Sequence, residues 1–142
     1  MITVRDILQH KGGQTWSVSR SSTVFDALVL MAEKNVGALL VLDGEKIVGI
    51  FSERDYARKI ILKGKASKET SVEEIMTSEV TTVRPEQSVE ECMALMTDKR
   101  IRHLPVLEGE QLIGLISIGD VVKAVISDKE FIIKQLENYI TR

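Results

Sequence analysis

A chain of 142 residues with 44% hydrophobic and 28% charged residues has the make-up of an ordinary soluble protein of one domain's size, expected to bury roughly 68–70% of its unfolded surface. A net charge of −2 and a pI near 5.8 exclude a global field that would draw nucleic acid or an anionic membrane. No apolar run is long enough to cross a bilayer, Met1 opens no signal-type core, and the single cysteine, Cys92, makes neither an internal disulfide nor a metal cluster; the expected place is a reducing cytoplasm.

Thr3–Gln9 reads as a short helix with Val4, Ile7 and Leu8 on one side, and His10–Gln14 as a Gly-Gly turn. Trp16 and Val18 alternate with polar neighbours, as in a short half-buried strand. From Thr23 the period changes, and Val24, Ala27, Leu28, Met31 and Ala32 form the apolar stripe of a helix. Ala38–Leu42 and Ile47–Phe51 are continuous apolar runs around Asp43-Gly44, a tight hairpin of strands covered on both faces. A helix carrying Tyr56, Ala57, Ile60 and Ile61 follows, then a polar linker over Lys63–Thr70 and a short helix at Ser71–Met76 that mirrors Val4–Leu8. Thr81 and Val83 then stand where Trp16 and Val18 stood. Val89, Cys92, Met93 and Met96 repeat the stripe, which makes Cys92 a small buried hydrophobe in the place of Ala27. A second hairpin turns at Glu108-Gly109, and Val121, Val122, Val125 and Ile126 belong to the helix after it. From Asp128 one more amphipathic helix is expected, with Ile132, Leu136, Tyr139 and Ile140 on its inner side.

These correspondences are one ungapped duplication. ALLVLDGEKIVGIFSERD returns as HLPVLEGEQLIGLISIGD, with Asp55 and Asp120 65 residues apart, and Val24–Ile61 aligns with Val89–Ile126 without a gap. The expected fold class is α+β: two pseudo-symmetric β-α-β-β-α repeats, at about 10–64 and 72–127, joined by a linker at 65–71 and followed by a C-terminal helix at 128–142. A unit of about 60 residues is marginal alone, so the two are expected to pack sheet to sheet, leaving a pair of related clefts at the seam.

Six helices are expected to begin at a Ser or Thr followed three positions later by Asp or Glu, the capping-box spacing: Thr3/Asp6, Thr23/Asp26, Ser52/Asp55, Ser71/Glu74, Ser88/Glu91 and Ser117/Asp120. By spacing alone Ser52/Asp55 and Ser117/Asp120 are caps. By position they directly follow an interior strand, where a helix N-terminus suits an anion. Asp is also a shorter reciprocal partner than Glu, hence freer to face outward and accept both hydroxyls of a ribose. Arg102-His103 aligns with Gly37-Ala38, so one copy presents a guanidinium and an imidazole where the other presents nothing: a phosphate clamp, or a solvated Arg beside a packed His. The candidate binding residues are therefore Arg102, His103, Ser117, Ile118, Gly119 and Asp120 in one copy, with Val36, Gly37, Ala38, Ser52, Arg54 and Asp55 in the other. Arg54 aligns with Gly119 and is either a substitute clamp or a helix-surface Arg; Trp16 either stacks on a base or packs. The lysines of the linker read as solvated, and His10 as exposed. No nucleophile–base–orienter set, metal-ligand spacing or G-x-x-x-x-G-K-[ST] loop points to an enzyme.

The duplicated unit, with its Gly-apolar-apolar-Ser-x-x-Asp endings and the segment Arg102–Val106, resembles the tandem CBS-domain pair, or Bateman module, over essentially the whole chain. The resemblance implies a non-catalytic sensor of adenine nucleotides (AMP, ADP, ATP or NAD(H)) that signals to a regulated partner protein and forms a homodimer through its second helices, with Tyr56, Ile60, Val122 and Ile126 at the seam. It implies that Asp120 holds a ribose, with Ser117 beside the phosphate and Arg102 and His103 upon it, while Gly37 and Ala38 leave room for the base. The Asp120 cleft is expected to be the better phosphate binder, and the Asp55 cleft to be weaker or to hold a different moiety. A structural dimerisation module with vestigial clefts, or a nucleotide-acting enzyme, are the alternatives, and RNA binding is disfavoured by the acidic balance.

Overall fold

The structure is a computed structural model describing residues 1–141. In chain order its elements are α1 (Val4–Lys11), β1 (Ser17–Ser19), α2 (Val24–Lys34), β2 (Ala38–Asp43), β3 (Lys46–Ser52), α3 (Glu53–Tyr56), a π-helical turn (Ala57–Ile61), α4 (Val72–Ile75), α5 (Val89–Lys99), β4 (His103–Glu108), β5 (Gln111–Ser117) and α6 (Ile118–Ile140). They form two compact units: Thr15–Val80, here the first unit, and Met1–Gln14 with the chain from Thr81 onward, the second.

In the first unit β1 runs parallel to β2, and β2 pairs antiparallel with β3 across a turn in which Gly44 adopts φ +64°. Ala38–Val41 are all buried, as the continuous apolar run requires, and α2, β2, β3 and α4 close on Val24, Ala27, Leu39, Phe51 and Val72. The second unit repeats this with β4 and β5 around Val89, Cys92, Leu104, Val106 and Ile116.

The expected repeat limits of 10–64 and 72–127 are not the limits of these units, because the short helices are exchanged. α4, which precedes the second repeat in sequence, completes the first unit: Val72 N–H donates to Ser22 O (2.8 Å) and Val24 N–H to Thr70 O (2.9 Å). α1, at the start of the chain, completes the second by the same pair of bonds, Val4 N–H to Gln87 O (2.8 Å) and Val89 N–H to Ile2 O (2.9 Å). The match of Val4 and Ile7 to Val72 and Ile75 is thus a match of place as well as of sequence.

Four local expectations are corrected. α1 continues to Lys11, past the expected end at Gln9, and stops at Gly12, whose φ of +91° only glycine adopts without strain. The strand expected at Thr81 and Val83 is reduced to a single bridge, Val83 to Val106. Its counterpart uses the bond from Leu40 N–H to Trp16 O (3.2 Å), and Pro105, in the place of Leu40, has no N–H to give. No new helix starts at Asp128: α6 is one 23-residue helix, because Ser127-Asp128 contains no breaker, and Ile132, Leu136, Tyr139 and Ile140 face solvent. Ile60, expected at a dimer seam, is buried in the core of the first unit, with Tyr56 packed against that core.

Candidate functional site

An antiparallel hairpin sets the end of its second strand opposite the start of its first. In the second unit that register places Ser117 opposite His103, and Ile118 N–H donates to Arg102 O (2.9 Å). The Arg102-His103 pair, fourteen residues or more from Ser117 in sequence, is therefore at the entrance to α6. The first unit repeats the arrangement: Ala38 lies opposite Ser52, and Glu53 N–H donates to Gly37 O (3.1 Å). The candidate residues of each copy thus meet at one strand-to-helix junction.

Both junction carboxylates close their capping boxes, contrary to the expectation that a short Asp turns outward. Asp55 Oδ2 accepts from Ser52 N–H (3.0 Å) and Asp120 Oδ2 from Ser117 N–H (2.8 Å), while each serine Oγ accepts from the amide of its Asp (both 3.2 Å). A helical side chain leans toward the N-terminus of its helix, which brings even the short carboxylate back over the cap. Of the other boxes, those at Thr3 and Ser88 are complete, Thr23 accepts from Asp26 N–H, and Ser71 makes no side-chain cap bond.

The remaining oxygen separates the two sites. Asp55 is 8% exposed, and its Oδ1 accepts from Thr77 Oγ (3.3 Å) and lies 3.3 Å from the Lys59 ammonium, so both oxygens are engaged. Asp120 is half-buried; its cation, Lys11 Nζ at 2.7 Å, bonds the same Oδ2 that closes the cap, and Oδ1 accepts no hydrogen bond among the described residues. Lys11 is a site residue that sequence reasoning passed over. Ala124 stands 65 residues after Lys59, and this missing cation was the available signal. Lys11 Nζ also donates to Leu115 O (2.8 Å), whose counterpart Ile50 O accepts from Thr77 N–H (2.9 Å). One ammonium from α1 thus takes over two bonds that Thr77 makes in the first unit.

Burial pushes the Asp120 carboxyl upward, but the hydrogen bonds from Lys11 and Ser117 outweigh it and hold the group below the usual carboxylate range. Burial, then the Lys11 charge, hold His103 below its ordinary value, with Arg102 adding to the shift and Asp120 opposing it. His103 is therefore a neutral imidazole at pH 7, with one N–H to offer a ligand. Arg102 is exposed beside it. A cavity of about 520 Å³ adjoins the carboxylate between α1 and α6, lined by Ile2, Ile7, His10, Lys11, Asp120 and Lys123, so His10 is a lining residue of this cavity.

Elsewhere the candidate residues serve the first unit. Trp16 packs on its core with the Lys34 ammonium 4.4 Å over the ring, a cation–π contact that gives the indole a structural role. Val36 and Gly37 are half-buried and Ala38 buried at the start of β2; Arg54 is exposed on α3, as Ile118 and Gly119 are at the start of α6.

The family model of the CBS domain matches residues 15–62 and 72–127. The chain is 44% identical over 147 aligned residues to the mitochondrial CBS domain-containing protein CBSX3 of Arabidopsis thaliana, covering 97% of this chain and 71% of that one. It superposes on a CBS-domain protein from Burkholderia ambifaria with a TM-score of 0.86 at 58% identity, over 89% of this chain and 95% of that one. A hexameric CBS-CP12 protein from bloom-forming cyanobacteria superposes with a TM-score of 0.77 at 32% identity, over 86% of this chain and 70% of that one. No helix among the described residues is long and apolar enough to cross a membrane.

Proposed function

Because the chain belongs to the CBS-domain family and carries the domain twice, we propose that it is a non-catalytic regulatory protein whose second unit binds an adenine nucleotide (AMP, ADP, ATP or NAD(H)) and signals to a partner protein. The observation that carries this reading is the Asp120 junction. It combines an ionised carboxylate, one oxygen of which accepts no hydrogen bond among the described residues, with an exposed guanidinium at Arg102 and a neutral imidazole at His103. That set supplies acceptors for sugar hydroxyls and donors for phosphate oxygens. Asp55, with both oxygens engaged, supports the reading of its junction as a structural cap and the weaker site. A ligand at one hundred times its dissociation constant stabilises the bound form by about 2.7 kcal/mol, enough to bias a two-state equilibrium of a few kcal/mol.

Calorimetric titration with AMP, ADP, ATP, NAD and NADH tests the proposal. Micromolar to low millimolar binding that Asp120→Ala weakens more than tenfold is expected; no heat and no thermal shift with any of them at millimolar concentration refutes it. A second reading, a self-association module, is favoured by α6, where Val122, Ile126, Ile132, Ile133, Leu136 and Tyr139 expose a long apolar face. We assign this face to pairing between copies of the chain, and the two roles are compatible.

A further inference from the structure

We propose that Lys11 is the specificity-determining residue of the Asp120 junction: an exchangeable counter-ion that makes a phosphate on the ligand a condition of tight binding. The inference rests on the nucleotide reading above and adds to it how the site tells a nucleotide from its nucleoside.

Asp120 Oδ2 already accepts from Ser117 N–H (2.8 Å), Ser117 Oγ (3.1 Å) and Lys11 Nζ (2.7 Å). An ionised carboxylate has about four lone-pair sites over its two oxygens, so Oδ2 has no place for a further donor. A ribose diol gripped by both oxygens finds Oδ1 open, but its second hydroxyl has to displace a donor from Oδ2. Ser117 N–H closes the cap that begins α6, and losing it frays the helix; Ser117 Oγ accepts from Asp120 N–H in the same cap, so the oxygen keeps its place beside Oδ2 whichever way its proton turns. Lys11 is the donor that can leave. Its ammonium sits on a flexible stem, its side chain is 36% exposed, and it keeps a second bond to Leu115 O.

An ammonium displaced from a half-buried carboxylate needs another anion. A phosphate on the same ligand supplies one at the same junction; a nucleoside leaves the lysine with only water and the Leu115 carbonyl. Lys11 therefore opposes adenosine and favours AMP. The first unit lacks this exchange, because Lys59 and Thr77 hold the other oxygen, Oδ1, and Oδ2 is closed by the cap. The duplication itself points to this difference: Ala124 stands where a lysine of the helix would serve, and the cation is brought instead by α1.

The test is calorimetric titration of the full chain with AMP and with adenosine, in wild type and in Lys11→Met, Lys11→Gln and Lys11→Arg, each first checked for an intact thermal transition. Wild type is expected to prefer AMP. In Lys11→Met and Lys11→Gln the ratio of the two affinities falls about tenfold, with adenosine binding tighter than to wild type, whereas Lys11→Arg keeps most of the preference. An unchanged ratio, or an equal weakening of both ligands, overturns the inference and leaves the nucleotide reading standing, since it reduces Lys11 to a structural ion pair. If wild type binds neither AMP nor any other adenine nucleotide, the nucleotide reading itself fails and this inference falls with it.

Discussion

Asp55→Ala and Asp120→Ala are symmetry-related substitutions with opposite expected consequences. Asp55→Ala removes the reciprocal cap bond to Ser52 N–H, the bond from Thr77 and the i,i+4 pair with Lys59, all at a carboxylate 8% exposed. At about 1 kcal/mol for each hydrogen bond, about 0.4 kcal/mol for the helix pair and a further increment for the buried donors left behind, the cost is about 3 kcal/mol. Asp120→Ala removes one cap bond and the Lys11 pair; the lysine is over a third exposed, so the pair is screened and contributes only a few tenths, for a total of about 1.5 kcal/mol. With about 3–5 °C of midpoint shift per kcal/mol in a chain of this size, thermal unfolding should fall by about 10 °C in the first variant and about 5 °C in the second. Calorimetric titration with AMP should rank them the other way, Asp55→Ala retaining binding and Asp120→Ala losing more than tenfold. Equal thermal penalties, or AMP binding that survives Asp120→Ala, would refute the assignment of one carboxylate to the fold and the other to the ligand.

Acid should expose the Lys11–Asp120 contact. The folded carboxyl titrates below the unfolded value of about 3.9, so its contribution is full well above that pH and is lost as pH falls through the folded value. The fall in thermal midpoint between about pH 5 and pH 3 should be shallower in Lys11→Met than in wild type. Cys92, whose thiol is pushed up to about 11 first by burial and then by Glu91, should resist maleimide at pH 7.5 in the folded protein and react on unfolding. Asp at both Ile132 and Leu136, solvent-facing positions of α6, should abolish self-association in sedimentation velocity with little change in thermal midpoint; a variant that still associates removes that face from the interface.

What the sequence reveals here is whatever repeats. The hairpins, the apolar stripes and the six cap spacings are each written twice or more, and the structure builds all but the Ser71 cap bond. The register then places Arg102 and His103 at Ser117, a contact that the alignment of hairpins already implies. The illegible features depend on what differs between copies. Pro105 silently removes the donor that would have made Thr81 and Val83 a strand. The second carboxylate takes its cation from residue 11, a separation of 109 residues that no local spacing reports. The continuity of α6 is not legible because Ser127-Asp128 has the residue types of a cap, although a cap residue forces no break when apolar residues continue on both sides.

The exchange of short helices bears on how this chain is made. Everything that the first unit needs is contiguous and has been synthesised by Val80, so it can form while the ribosome is still adding the rest. The other unit is assembled from segments on either side of the first, so α1 is synthesised before the first unit yet has to wait, solvent-exposed, for partners more than seventy residues downstream. A cut in the Lys63–Thr70 segment accordingly would not release two independent halves: each fragment would carry a short helix that belongs to the other.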